Sequence, residues 1–462
     1  MMSQYQLIVI GAGPGGYMAA LQGAKHGLKT AVVEAREAGG TCLNRGCIPT
    51  KTLLHSSEIF SAAKNAEHAG IKVSGVEADI PAIFAKKKQV SETLSAGIEG
   101  LFKKAKVDLI RGKATVTAAG CIDVTDAEGN VTAYTADNIL IATGSIPAMP
   151  PIPGLDLEGV MNSDALLEGA DHLYESIVII GGGVIGVEFA TFFSELGTKV
   201  TVIEGLDRLL PNLDKELGQN LAQLLKKQGV NIFTGAMVKE VRKQEGGLEV
   251  VFTAKNAENS AVGEVVLCAI GRRPYTEGLF APGLEIEMKG RSIAVDENFE
   301  TSIKGVYAIG DVSAKIQLAH VATAQGIACV DHIAGKKSDV DLSIVPSCIY
   351  CRPEIASVGM TDADAKAAGI NVKVGKCVMH GNGRTLIAGA GRSFMKVVAN
   401  ADTREIIGAQ MMCMNSTDMI SELSEAIANH LTAADLLRAM RPHPTFEEAL
   451  TEALEDLEAK LG

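Results

Sequence analysis

A chain of 462 residues, 47% hydrophobic and 21% charged, has ordinary globular composition and room for roughly two to four domains, which excludes disordered, collagen-like and disulfide-scaffold classes. A net charge of −12 argues against a polyanion partner, and 4% aromatics without tryptophan leave little to stack on bases, so no nucleic acid is expected. Nine irregularly spaced cysteines fit no secreted framework, no charged leader opens the chain, and no run of about 18 apolar residues occurs, so the expectation is a cytoplasmic protein without membrane contact.

The first predicted element is the strand Gln6–Ile10. It leads into Gly11-Ala-Gly13-Pro-Gly-Gly16, a helical stretch, and a strand Thr30–Val33 that ends at Glu34, 18 residues past Gly16. Strand, glycine turn, helix, strand and acid together form a dinucleotide fingerprint. The glycines let the backbone approach a pyrophosphate, the helix N-terminus offers it N–H groups and positive dipole, and the acid accepts from the ribose hydroxyls.

Next comes Gly40-Thr41-Cys42-Leu43-Asn44-Arg45-Gly46-Cys47-Ile48-Pro49-Thr50-Lys51. Cysteines five apart on a regular helix would be separated by about 7.5 Å of rise, beyond the roughly 7 Å Cα limit for a disulfide. The segment must bend, and Gly46 allows it; Pro49 suits the first turn of a helix continuing through Lys51–His55. A reversible redox disulfide is the functional reading. Two buried thiols or half a metal site remain open, although further ligands at matching spacing are missing nearby. The basic runs Lys86–Lys88 and Lys103-Lys104 read as a solvated helix face.

The fingerprint then recurs. Ser176–Ile180 leads into Gly181-Gly-Gly183-Val-Ile-Gly186, a helix, a strand Lys199–Ile203, and Glu204, again 18 residues past the third glycine. Two copies with the acid at one offset carry far more weight than a lone glycine motif. Ile139–Pro147 and Val266–Pro274 share a closing pattern too: apolar strand, Ala-x-Gly, two residues, proline. Gly16 to Gly144 spans 128 residues but Gly186 to Gly271 only 85, and the excess accommodates the cysteine segment.

Toward the C-terminus, Ser347–Arg352 reads as a strand on which Cys348 and Cys351 face opposite ways, so both are assigned to packing. Met411-Met412-Cys413-Met414 reads as soft core or interface. Arg441-Pro442-His443-Pro444 is an extended loop, and Thr445-Phe446-Glu447-Glu448 opens a helix whose apolar face is Ala449, Leu450, Ala453 and Leu457. Thr445 and Glu448 fit a capping box.

The run GGTCLNRGCIPTK resembles the flavin-dependent pyridine nucleotide–disulfide oxidoreductases. The likeness continues through Tyr307-Ala-Ile-Gly310-Asp311, Leu318-Ala319-His320, Pro353-Glu354-Ile355-Ala356 and His443-Pro-Thr-x-x-Glu448, essentially the whole chain. It implies an α/β fold: two Rossmann-like domains, for FAD and then NAD, and a C-terminal α+β dimerisation domain. The expected regions are 1–150 (FAD and redox disulfide), 151–275 (NAD), 276–345 (returning to the FAD site) and 346–462 (dimer interface). By resemblance Cys47 would face the flavin and Cys42 would exchange with substrate. Lys51 and Glu188 would pair beside the flavin ring, although an acid early in a helix is favoured there anyway. Asp311 would accept from the ribityl chain. Thr41, Ala114, Thr143, Gly144, Ala319 and His320 would line FAD, and Val238 and Gly271 the nicotinamide nucleotide. His443 would be the acid–base, with Glu448 orienting its far nitrogen and capping the helix with the same carboxylate. The family often carries histidine where Arg441 stands.

Glu204 favours NAD, because a carboxylate binds a free 2′-hydroxyl and repels a 2′-phosphate. Within the family the chain is most similar to the branch that oxidises protein-bound dihydrolipoyl groups. Its expected partners are a second copy and a lipoylated protein of a 2-oxoacid dehydrogenase or glycine-cleavage complex; no metal is expected. A glutathione-type reductase is the first alternative, opposed by Glu204. A mercuric-type reductase lacks support because the tail Glu458–Gly462 carries no cysteine pair. A scaffold flavoprotein would not need the intact cysteines, His443 and Glu448.

Overall fold

The two glycine–acid repeats become two parallel sheets in a computed structural model that describes residues 4–313 and 316–462; residues 1–3 and 314–315, inside the expected regions 1–150 and 276–345, lie outside it. In the first sheet, Tyr5–Ile10 lies between Thr30–Glu34 and Val131–Ile141, with Asp108–Arg111 outside Thr30–Glu34. The strand Val306–Ala308 then adds beside Val131–Ile141, pairing Val306 with Ile139. In the second sheet the order is Asn231–Phe233, Lys199–Ile203, Ser176–Ile180, Val265–Cys268, Val160–Asn162, all parallel. These strands are apolar without alternation because both faces are covered, one by helices and the other by an antiparallel meander, and Leu7–Ile10 and Ile177–Ile180 are buried throughout.

Each copy also carries an antiparallel three-stranded meander. In the first it is Lys113–Ala118, Cys121–Thr125 and the start of Val131–Ile141; in the second it is Ala236–Gln244, Gly247–Ala254 and Ala257–Gly263. The shared closing patterns meet each other: Ser145–Pro147 pairs antiparallel with Arg272–Pro274. The excess length of the first copy holds the helices Gly40–Arg45, Cys47–Lys64 and Ile80–Ala105. On the last of these, Lys86 and Lys88 are exposed as expected but Lys87 is buried and donates to the Leu167 carbonyl at 2.5 Å, because the helix Ser163–Glu168 ends against it.

The C-terminal part is a five-stranded antiparallel sheet in the order Ser347–Ile349, Ile355–Gly359, Ile406–Met412, Phe394–Asn400, Val372–Val378. Helices Ser416–Ala428 and Glu448–Leu461 pack on it through Leu423, Leu450, Leu454 and Leu457, with Met411 and Cys413 in the same core. Two elements differ from expectation. The edge strand stops at Ile349 rather than Arg352, because the Tyr350 amide donates to Glu188 instead of a sheet neighbour. The last helix begins at Glu448, not Thr445, because the Thr445 hydroxyl is drawn back to the Pro442 carbonyl. Among the described residues, no helix is long and apolar enough to cross a membrane.

Candidate active site

The bend expected at Gly46 is present. Cys42 sits in the short helix Gly40–Arg45, Gly46 breaks it with φ −150° and ψ −110°, and Cys47 opens the helix Cys47–Lys64. A Cβ at Gly40 would come within 2.7 Å of Gly13 Cα, so the cysteine segment starts against the first glycine turn. Asn44 fastens it by donating to the Ala38 and Gly40 carbonyls at 3.1 and 3.0 Å. Cys42 and Cys47 are close enough for each thiol to perturb the other's ionisation. The neighbouring Cys42 thiol, together with the Lys51 charge, outweighs burial and Glu188 and lowers the Cys47 pKa to about 7. The neighbouring Cys47 and burial push Cys42 up. The negative charge of a reduced pair therefore rests on Cys47, at a helix N-terminus that favours it.

Lys51, one turn further on, donates to both Glu188 oxygens at 2.8 Å. Glu188 is 3% exposed and comes from the second copy's helix Val184–Leu196. Burial disfavours the Lys51 ammonium, but the Glu188 carboxylate wins and holds its pKa above the ordinary lysine range. A third segment closes the site: the Tyr350 amide donates to Glu188 Oε1 at 3.1 Å, and Lys51 Nζ lies 4.8 Å from the Tyr350 ring centre.

The two glycine turns superimpose in detail. A Cβ at Gly11 would lie 2.5 Å from the Ala142 carbonyl oxygen, and one at Gly181 2.5 Å from that of Ala269; at Gly16 and Gly186 it would lie 1.9 Å from the Gly11 and Gly181 oxygens. Gly13 and Gly183 begin the helices Pro14–Lys25 and Val184–Leu196, neither of which has a side-chain cap, and a Cβ at either meets nothing. Open N–H groups beside an open cradle fit a pyrophosphate. Glu34 accepts from the Ala12 and Arg36 amides at 2.7 Å each, and Glu204 from the Gly182 and Leu206 amides at 2.6 and 2.7 Å. Each acid is thus locked beneath its own turn with acceptor capacity to spare.

The other expected residues lie on several separate elements. Asp311 follows the strand Val306–Ala308; Ser145 Oγ donates to it at 2.5 Å, and Arg272 Nε donates to Ser145 Oγ at 2.8 Å. Burial raises the Asp311 pKa, with the Ser145 bond and the Arg272 charge working against it. Thr143, beside Gly144, donates to the Tyr275 carbonyl at 2.7 Å, just past Gly271. Thr41 lies in the Cys42 helix and Ala114 is buried in its meander strand. Ala319 and His320 open the helix Ala319–Ile333, and His320 Nε2 reaches the Pro346 carbonyl at 2.8 Å. Val238 lies on the second meander.

A separate cluster forms at the C-terminus. His443 Nδ1 lies 2.8 Å from Glu448 Oε1, and the Thr445 amide donates to Glu448 Oε2 at 2.8 Å, so one carboxylate both orients the ring and fastens the loop ahead of the helix; the expected capping box is only half formed, because the Thr445 hydroxyl bonds to Pro442 and caps no helix N–H. The amide first and the imidazole second hold the Glu448 carboxyl below its usual range. Arg441 anchors the loop by donating to Glu422 and to Thr451 Oγ1. The His443 side chain is 78% exposed, and among the described residues no hydrogen bond joins it or Glu448 to Cys42, Cys47 or Lys51. The structure thus gathers the candidates in two places rather than one.

Cys348 and Cys351 bond separately to the Thr417 and Pro353 carbonyls, and burial pushes both thiols up, Cys348 to about 11. No group of three or more His, Cys, Asp or Glu among the described residues could hold a metal. The residues that sequence reasoning missed are Tyr350, Ser145 and Arg272, whose partners lie far away in the chain.

The family model described as pyridine nucleotide-disulphide oxidoreductase matches residues 5–326, and the model of that family's dimerisation domain matches residues 345–454. A dihydrolipoyl dehydrogenase of Bacillus subtilis is 39% identical and covers 98% of either chain. One from Thermus scotoductus is 40% identical over 99% of this chain and 98% of its own. Among solved structures, LpdA from Mycobacterium tuberculosis has a TM-score of 0.89 at 28% identity, covering 97% of this chain and 99% of that one. The HOCl-induced flavoprotein disulfide reductase RclA from Escherichia coli has a TM-score of 0.87 at 28% identity, covering 98% and 99%. The chain belongs to the pyridine nucleotide-disulphide oxidoreductases, and its C-terminal part is the dimerisation domain of that family.

Proposed function

We propose that the chain, as a homodimer, oxidises protein-bound dihydrolipoyl groups to lipoyl with NAD, through FAD and a Cys42–Cys47 disulfide. The observation that carries the proposal is the placement of the Cys42 and Cys47 segment, which starts against the first glycine turn and is tied through Lys51 to Glu188 on the helix of the second. The full-length similarity to dihydrolipoyl dehydrogenases supports the substrate. FAD, when bound, supplies a two-electron acceptor that can reduce NAD by hydride. Gly11, Gly13, Gly16 and Glu34 would hold its pyrophosphate and ribose, and Asp311 its ribityl chain, with Thr41, Lys51, Ala114, Thr143, Gly144, Ala319 and His320 lining the rest. Gly181, Gly183, Gly186, Glu204, Val238 and Gly271 would hold NAD.

Chemistry at the protein groups runs as follows. His443 of the partner subunit takes the proton of one substrate thiol, held in the right tautomer by its Glu448. The resulting thiolate attacks Cys42 Sγ, the enzyme S–S bond breaks, and Cys47 leaves as a thiolate, which its low pKa makes favourable. The second substrate thiol then attacks the sulfur bonded to Cys42. Lipoyl leaves as a closed disulfide, Cys42 leaves as a thiol, and the two protons end on His443 and Cys42. Substrate has lost two electrons and the enzyme disulfide has gained them. The same proposal divides the chain at about 150, 275 and 345, sets it in the cytoplasm, and makes its partner a lipoylated 2-oxoacid dehydrogenase or glycine-cleavage protein.

The test is steady-state turnover of free dihydrolipoamide with NAD, set against glutathione disulfide or Hg(II) with NADPH. Dihydrolipoamide with NAD should be the fast pair, and faster turnover of either other pair would overturn the proposal. In the two-electron-reduced enzyme, Cys47→Ser should abolish the long-wavelength thiolate–flavin absorbance while FAD stays bound.

A further inference from the structure

The helices Cys47–Lys64 and Val184–Leu196 touch at two levels. At the first, Lys51 meets Glu188. At the second, Ser57 Oγ donates to Glu195 Oε2 at 2.6 Å, with Glu58 alongside. Lys51 to Glu58 and Glu188 to Glu195 are each seven residues, so the two levels are two helical turns apart on both helices, about 10.5 Å of rise. The segment after the edge strand Ser347–Ile349 reaches both levels. Tyr350 serves the first, with its amide on Glu188 and its ring under Lys51. Arg352, two residues on, serves the second: Nε donates to Glu195 Oε1 at 2.5 Å, and Nη1 lies 2.7 Å from Glu58 Oε1. Glu195 is 4% exposed and has nothing else to neutralise it among the described ion pairs.

We propose that Tyr350 and Arg352 are positioning residues of the redox centre, a clamp from the dimerisation domain that ties the two helices together and holds the Lys51 ammonium beside Cys47. Two bonds of the ammonium go to Glu188, and the ring face takes the remaining side. The Lys51 side chain is already 28% exposed. With the ring removed, water enters on that side and the ammonium can lean outward. Both changes weaken the field that stabilises the Cys47 thiolate. Arg352 acts one step further away, by keeping the two helices in register. The guanidinium suits this task because its fork reaches two carboxylates on two helices at once. Mere cement between domains would explain the same contacts, but it would not alter the titration of a thiol.

This proposal rests on Cys47 being the flavin-facing thiol. The measurement is a pH titration of the long-wavelength thiolate–flavin absorbance in the two-electron-reduced holoenzyme, with FAD content and dimer mass recorded for each variant. Tyr350→Leu should move the midpoint up by about one pH unit, which at a midpoint near neutrality weakens the band at pH 7 by about fivefold. Tyr350→Phe, which keeps the ring, should match wild type. Arg352→Met should move the midpoint the same way by a smaller amount. Should Tyr350→Leu lose FAD, Tyr350→Met carries the same expectation. A FAD-loaded dimer of either ring-less variant with the wild-type midpoint, or a shifted midpoint in Tyr350→Phe, overturns the clamp. Persistence of the band in Cys47→Ser instead overturns the thiol assignment, so the two failures are distinguishable.

Discussion

Replacing Glu204 by glutamine should weaken the preference for NAD while leaving the turn around it standing. Glu204 is 8% exposed and takes one backbone N–H on each oxygen, at 2.6 and 2.7 Å. The amide oxygen of glutamine keeps one of these bonds and the other N–H is left short of an acceptor, a loss of about 1–3 kcal/mol that a chain of this size absorbs. For NAD, the ribose hydroxyl exchanges a charged acceptor for a neutral one, which weakens binding by roughly 1–2 kcal/mol, or about fivefold to thirtyfold. For NADP, a phosphate of about −1.5 charge roughly 5 Å from the carboxylate is repelled by about 5 kcal/mol at an effective dielectric of about 20. Glutamine removes that repulsion. Even if salt and water leave only about 1 kcal/mol of it, the ratio of kcat/KM values for NAD and NADP should fall by about thirtyfold or more. The assay is dihydrolipoamide oxidation with each nucleotide, on preparations of equal FAD content. Equal use of both nucleotides by the wild-type enzyme, or an unchanged ratio in Glu204→Gln, would refute the reasoning.

Lys51→Met removes a cation that offsets burial and Glu188, so the Cys47 pKa should climb from about 7, even though the neighbouring Cys42 still lowers it. A depressed thiol pKa means thiolate above it, so a rise of about one unit takes the thiolate fraction at pH 7 from about half to about a tenth. The pH titration of the reduced enzyme's long-wavelength band reads this directly, and an unmoved midpoint would remove Lys51 from its role. Dimers of Cys47→Ser and of His443→Ala should each be nearly inactive toward dithiols. Refolded together at random they should recover about a quarter of wild-type activity, because half the dimers are mixed and each mixed dimer has one intact composite site. Purified mixed dimers no better than the parents would place the base within its own chain or remove His443 from that role.

What could be read from the sequence was local. Each glycine turn, its helix and its acid lie within about thirty residues, the span of one strand–helix–strand unit, and the same contacts formed twice. His443 and Glu448 are five apart, and the capping box already implied that the glutamate turns back toward the loop. The bend at Gly46 followed from helix rise alone. What could not be read depends on distant chain. Lys87 looks like its neighbours until the end of Ser163–Glu168 arrives with a carbonyl to accept its hydrogen bond. Arg272 and Ser145 lie in the matching tails of a repeat, but nothing in the repeat says that the tails pair or that they support Asp311. Tyr350, between two cysteines, carries no local signal because its partner, Glu188, is 162 positions away. Period and spacing report an element's own faces and are silent about which remote carboxylate will cross it.

The strand Val306–Ala308 changes what the duplication amounts to. It completes the first sheet beside Val131–Ile141, although the whole second sheet, Val160 to Cys268, intervenes in the chain. The two copies are therefore nested, not tandem: the second is inserted in the first as a parenthesis is in a sentence. No single cut yields two self-sufficient modules, since any fragment ending before Val306 leaves the Val131–Ile141 edge bare and separates Asp311 from Ser145. The inner copy's strands and meander are continuous from Val160 to Cys268, so two cuts bound it in the chain, but its helix Val184–Leu196 shares a core with Leu53, Leu54, Ile80 and Phe84 of the outer copy. An exchange of nucleotide modules between relatives must therefore respect paired boundaries on either side of it, and the outer copy can be transplanted only with the inner one or with a linker in its place.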